Sequence, residues 1–322
     1  MAERRAKGKS MRSILAAALL ACLAPTLPVA AQTAPKAEPA TIDIVFNPPT
    51  DAPMRYRITR DRAARASRPA MSASWVEELR FTRAGDGFIA QWRMDAVSLP
   101  PEMRGPAVAP MVAPFTGEPI AFDLDAEGAV LRVRDWPAAQ ARILAAVDAA
   151  AQLIPAADRD KVMPQVRAMF TGLTAETAPS TLLRNVNPVF GGGGLSMHVG
   201  EEISTPIEQP VPMLGGSVAM DVTVTLSTAE PGRTATLTSH SDYDPNSFKR
   251  LLTQLAERFA PAEKAARKQE LEQMLPEMLL SETGTTLIDL PSGMPLRYES
   301  KRTATIDGKT VPVESLVLSW LH

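Results

Sequence analysis

Cysteine is nearly absent from this sequence. The 322 residues hold one, Cys22, and it lies in the apolar leader. Without a second thiol the chain can form no internal disulfide, and past residue 22 it has neither a thiolate ligand nor a cysteine nucleophile. Histidine is almost as scarce, with His198, His240 and His322. Metal and acid–base chemistry therefore have few starting points. Aromatic residues make up 5% of the chain. Beyond the leader no apolar run approaches the ~20 residues a membrane-crossing helix needs. No block of basic residues stands out, which argues against nucleic acid and anionic membrane surfaces as partners.

What is present begins with an export signature. Arg4, Arg5, Lys7, Lys9 and Arg12 precede the uncharged run Ile14–Leu23, and Val29-Ala30-Ala31 supplies small residues for cleavage. That order is the three-part plan of a secretory signal. Residues 1–31 are read as a signal peptide and the product as periplasmic or secreted. Cys22 follows Leu19-Leu20-Ala21, which looks like a lipobox and leaves a lipid-anchored form as the alternative. Cleavage after Ala31 leaves 291 residues. The leader holds five of the 34 basic residues and one of the 36 acids, so the charge moves from −2 to about −6.

Residues 32–40 read as a flexible lead-in with little to bury. Strand signals follow. Ile42, Ile44 and Phe46 share a face, and Met54, Tyr56 and Ile58 alternate with polar residues. The strongest hairpin joins the strand of Leu79 and Phe81 through Gly85-Asp86-Gly87 to Phe88, Ala90, Trp92 and Met94. Six prolines between residues 100 and 119 exclude a central strand, yet Met103, Met111 and Phe115 keep the stretch apolar. It should lie on the body as a strap. A hairpin at 120–133 leads to Asp135, a natural helix cap, and then to two amphipathic helices near 136–154 and 158–173.

Asn187-Pro188 and Gly191–Gly194 mark the best internal boundary. Beyond it come Leu195–Val199, a second proline-rich apolar stretch at 206–216, and a strong strand at 218–226. A helix capped by Asp244 follows, then a fourth helix carrying Leu271, Met274, Leu275 and Met278, and three closing strands. The fold class expected is α+β: antiparallel sheets with two pairs of amphipathic helices, arranged as two sheet-and-helix lobes. The lobes are residues 41–186 and 195–322, with 187–194 as the linker. Asp123-Leu124, Gly128 and Leu131-Arg132 recur as Asp289-Leu290, Gly293 and Leu296-Arg297, as a duplication or as shared hairpin chemistry.

The chemical candidates are few. His240, Asp242 and Asp244 could bind a metal, or His240 and Asp242 could form an acid–base pair; Asp244 already suits a helix cap. The glycines at 191–194 lack the Lys-Ser/Thr of a phosphate loop. Ser196 and His198 share a strand face but have no nucleophile elbow. Glu77-Glu78 and Glu201-Glu202 read as solvated strand edges. Trp75, Trp92, Trp136 and Trp320 read as core, or as stacking surfaces for a ligand. No residue is assigned as catalytic, cofactor-binding or metal-binding, and no cofactor is implied.

The stretches Ile120–Arg132, Met197–Glu202 and Leu287–Arg297 carry a resemblance to exported bacterial proteins with a domain of unknown function, in which long antiparallel strands and Asp…Gly hairpins surround a helical insertion. The resemblance implies no activity. Antiparallel sheets with one apolar face, amphipathic helices and apolar straps could also enclose a greasy cavity, as the envelope carriers of lipids and lipoproteins do with a curved open sheet. The expectation is a non-enzymatic envelope protein that binds an apolar ligand or a protein partner. The alternatives are a hydrolase or metal enzyme centred on His240 and Asp242, and a structural or assembly protein.

Overall fold

Alternation of apolar and polar residues builds most of this molecule. In strand β4 (Gly87–Met94), Phe88, Ala90, Trp92 and Met94 are buried while Gln91 and Arg93 face solvent. Strand β2 (Met54–Arg62) buries Met54, Tyr56 and Ile58 and exposes Arg55 and Arg57. Such strands need a cover on one face only. The computed structural model describes residues 41–64, 69–106, 108–211, 216–259 and 278–321. The leader with Cys22, the lead-in and His322 lie outside them.

Two antiparallel meanders supply the main sheet. The first comprises β2, β3 (Met71–Ala84), β4, β5 (Ile120–Leu124) and β6 (Val130–Val133). The second comprises β8 (Glu202–Val211), β9 (Gly216–Glu230), β10 (Thr234–Tyr243), β11 (Met278–Asp289), β12 (Met294–Ile306) and β13 (Lys309–Leu321). They are joined edge to edge: β2 pairs antiparallel with β13, from Arg55 opposite Leu321 to Arg62 opposite Glu314. The result is one eleven-stranded sheet, ordered β6-β5-β4-β3-β2-β13-β12-β11-β10-β9-β8.

This corrects the expected α+β arrangement with two sheet-and-helix lobes. Strand dominates, the two meanders share one sheet, and Pro39–His322 clusters as one unit. The helices are also unevenly distributed. Helices α1 (Pro101–Arg104), α2 (Ala109–Thr116), α3 (Trp136–Ala151), α4 (Ala156–Thr171) and α5 (Ala178–Leu182) all belong to the first half. Among the described residues only α6 (Pro245–Phe259) lies in the second. The predicted fourth helix falls mostly outside the described residues, and Met278 begins β11 instead.

Local chemistry explains most elements. Asp135 caps α3 by accepting from the Ala138 N–H at 3.4 Å. The apolar stripe of α3 buries Ile143 and Val147. The strap at 100–119 became α1 and α2, each with proline in its first turn, where no donor is lost. Residues 206–211, expected as a second strap, are instead part of edge strand β8. Pro206 and Pro210 sit four residues apart, so their missing N–H groups fall on the same side of the strand, and β8 pairs only with β9.

Two cores follow. The larger lies between the first meander, β13 and helices α2–α5, and holds Tyr56, Leu79, Phe81, Phe122, Ile143 and Leu183. The smaller forms where a two-stranded ribbon, β1 (Thr41–Ile44) with β7 (Leu195–His198), packs over β9–β11: Ile42, Ile44 and Met197 meet Leu226, Leu237 and Ile288. Between the cores Phe46 is keyed against glycines. A Cβ on Gly128 would come within 2.4 Å of the Phe46 ring, one on Gly193 within 2.6 Å of its Cβ, and one on Gly293 within 2.0 Å of the Val45 carbonyl. Gly128 and Gly293 also take positive φ, +84° and +69°.

Candidate functional site

The residues that drew notice in the sequence do not assemble a reaction centre. His240 Nε2 and Asp242 Oδ2 do meet, at 2.9 Å, but both side chains are more than half exposed. Ser281 donates its hydroxyl to the same carboxylate at 2.7 Å. The carboxylate is therefore the centre of the cluster: the serine donates its hydrogen bond to Asp242 and not to the imidazole, so the three do not form a serine–histidine–carboxylate relay. The Ser281 hydrogen bond, aided by His240, holds the Asp242 pKa below its usual value. Asp244 is a helix cap, accepting from Asn246 N at 3.1 Å and Ser247 N at 2.9 Å. Among the described residues no three His, Cys, Asp or Glu side chains are grouped to hold a metal.

Ser196 turns its hydroxyl to Asp43 at 2.7 Å, away from catalysis with His198. Glu201 accepts from the His198 backbone N–H at 2.7 Å and fastens a turn. The glycines at 191–194 are packing elements: Gly194 N–H donates to the Ile44 carbonyl at 2.9 Å, and Gly193 admits Phe46. Trp75, Trp92 and Trp136 are buried. Glu78 is surface chemistry, paired with Arg93 at 2.8 Å.

Glu77 is the surprise. It was read as solvated, yet it is 0% exposed. Strand alternation places it with Trp75, Leu79 and Phe81, on the face that the helices cover. The indole N–H groups of Trp92 and Trp75 donate to it at 2.6 and 2.8 Å, and Asn185 Nδ2 donates at 3.2 Å. Burial outweighs these donors and raises its pKa above the ordinary carboxylate value.

Above this group lies an apolar cavity of about 420 Å³. Its floor is the inner face of β2–β4, with Trp75, Trp92 and Met94. Its roof is Met111 and Phe115 of α2, closed at one side by Leu182 of α5. Arg60 and Arg62 stand at its rim on β2. A second, polar cavity of about 430 Å³ begins on the other side of Arg60 and runs across the open half. Its lining takes side chains from β2, β13, β12, β11, β10, β9 and β8, which requires that half of the sheet to curl. Arg302 and Glu282 form a close ion pair within it, and Tyr298 donates to Glu282 at 3.4 Å. Burial pushes the Tyr298 phenol up to about 12.

Comparison with known proteins adds little to this geometry. No family model matches the chain, and no curated protein matches it. One solved structure, a porin-like protein from Bacteroides uniformis ATCC 8492, aligns at 9% identity over 86% of this chain and 98% of its own, with a TM-score of 0.18. A likeness that slight carries no argument. Among the described residues no helix is long and apolar enough to cross a membrane.

Proposed function

We propose that this is an exported, non-enzymatic envelope protein that binds an apolar ligand between its sheet and its helical cap. The single observation behind this reading is the cavity under α2. Its volume falls within the ~300–1,000 Å³ usual for small-molecule pockets, it is lined chiefly by apolar and aromatic side chains, and a few charged groups stand at its rim. The exposed His240–Asp242 pair, by contrast, is split: Asp242 and Ser281 edge an open cavity of about 750 Å³, but His240 does not line it. Export rests on the leader of residues 1–31 and is read from sequence.

The uncharged dye Nile red tests the binding. It should gain fluorescence with the wild-type protein and lose most of that gain in Met111→Trp, which fills the cavity from its roof. Equal binding by both proteins would place the apolar site elsewhere and end this reading. Intact mass of the protein recovered from the envelope tests the address. A chain beginning at Gln32 is expected; a lipid-modified Cys22 would replace the free form with a tethered one, and an uncleaved chain would remove the export reading.

A further inference from the structure

We propose that the cavity takes a single-chain amphiphile with an anionic head, its chain lying under α2 and its head among the arginines of the rim. This rests on the apolar-ligand reading and names the ligand class. The inner face of β2 carries a gradient. Met54, Tyr56 and Ile58 are buried, and the next two inward positions are Arg60 and Arg62. The strand thus passes from an apolar interior to a cationic mouth within five positions of the same face.

The charge at that mouth is unbalanced. Arg60, Arg62 and Arg184 all converge on one carboxylate, Glu314: Arg60 in direct contact, Arg62 at 3.7 Å and Arg184 at 3.9 Å. Three guanidinium groups on one carboxylate leave two positive charges for a further anion. Of the other acids lining the polar cavity, Glu282 is engaged by two nitrogens of Arg302, and Glu208, on β8, accepts from the Ser217 hydroxyl at 2.8 Å. Glu102, the one acid lining the apolar cavity, is exposed on the α1 wall. Guanidinium groups present forked donors suited to carboxylate or phosphate oxygens. The apolar volume sits low in the range of ligand pockets, which suits one alkyl chain and excludes the paired chains of a diacyl lipid.

Calorimetric titration of the full chain with laurate, dodecyl phosphate and dodecanol tests this, since the three share a chain and differ in the head. The anions should bind about tenfold more tightly than the alcohol at low salt, as expected for charge-assisted hydrogen bonds, and should lose that margin at high salt. Preference for laurate over dodecyl phosphate, or the reverse, identifies the head as carboxylate or phosphate. The double variant Arg62→Gln/Arg184→Gln keeps the half-buried Arg60–Glu314 pair. It should bring the anions down to the level of dodecanol and leave dodecanol unchanged. Equal binding of all three, or anion binding untouched by the double variant, overturns the headgroup proposal and leaves the apolar-ligand reading standing. No binding by any of the three, together with no Nile red binding, overturns both.

Discussion

The two halves of the sheet are built from the same kind of strand and end in different states. In the first half the inner face is covered by α2–α5, and Tyr56, Leu79, Phe81 and Phe122 are at most 0% exposed. In the second half β9 carries mostly half-buried residues along its length, and only Val218 and Leu226 are buried. Strand pattern alone does not decide how dry a face becomes; the cover does. Where the cover is complete the sheet can hold a buried carboxyl group, and where it is partial the same face holds ion pairs and water-sized space.

Replacing Glu77 by Ala should be the most damaging change in this contrast. It strands two indole donors and an amide in the covered half, at a cost on the order of 4 kcal/mol in chemical denaturation. Glu77→Gln should cost less and should change the pH response. Because the folded pKa of Glu77 is raised, its contribution is fully present below the ordinary carboxylate value and is lost as pH rises through the raised value. Denaturation midpoints at acid and neutral pH should therefore fall more steeply toward neutrality in wild type than in the glutamine variant. Identical slopes would mean that Glu77 is ionised in the fold.

Leu79→Ala and Val224→Ala compare the halves directly. The first should cost about 3 kcal/mol and the second about 1 kcal/mol, because Leu79 is the larger side chain and fully buried, while Val224 is only half-buried against the smaller core. Equal losses would dissolve the comparison. Gly293→Ala, at the key between the cores, should cost about 2 kcal/mol from its positive φ, and more if the Val45 carbonyl cannot move. At the other extreme, His240→Ala on the exposed face should change stability by less than about 0.5 kcal/mol.

Much of the fold was legible. Phe88, Ala90, Trp92 and Met94 announce β4, Asp135 and Asp244 announce their helices, and the turn glycines mark the hairpins. The seam was not legible. Apart from the opposite charges of Arg60, Arg62 and Glu314, β2 and β13 carry no mark of each other, because backbone hydrogen bonds between edges are indifferent to side chain, so two meanders read as two lobes. Pro206 and Pro210 suggested a strap, since a proline on an edge strand and one in an irregular segment look alike in sequence. The cavity was foreseen only as one outcome of amphipathic faces. Glu77 was missed because a glutamate is expected to be wet; its register with Trp75, Leu79 and Phe81 was the available signal. The arginine rim was visible as the change from Ile58 to Arg60 and Arg62, but what it faces depends on Glu314, more than 250 positions away.

The seam between β2 and β13 has a consequence for how the molecule comes to exist. The first long strand of the main sheet finds its place in the middle only when the last long strand is present, so the central hydrogen-bond ladder is also the most remote in sequence. Until then each meander shows an unsatisfied edge at the position that will become the centre. Loops of that length close slowly, and a chain dominated by such pairings folds slowly. A polypeptide emerging from its N-terminus would spend that interval with two sticky borders, and a helper that shields a bare strand border during synthesis or transit would act on β2.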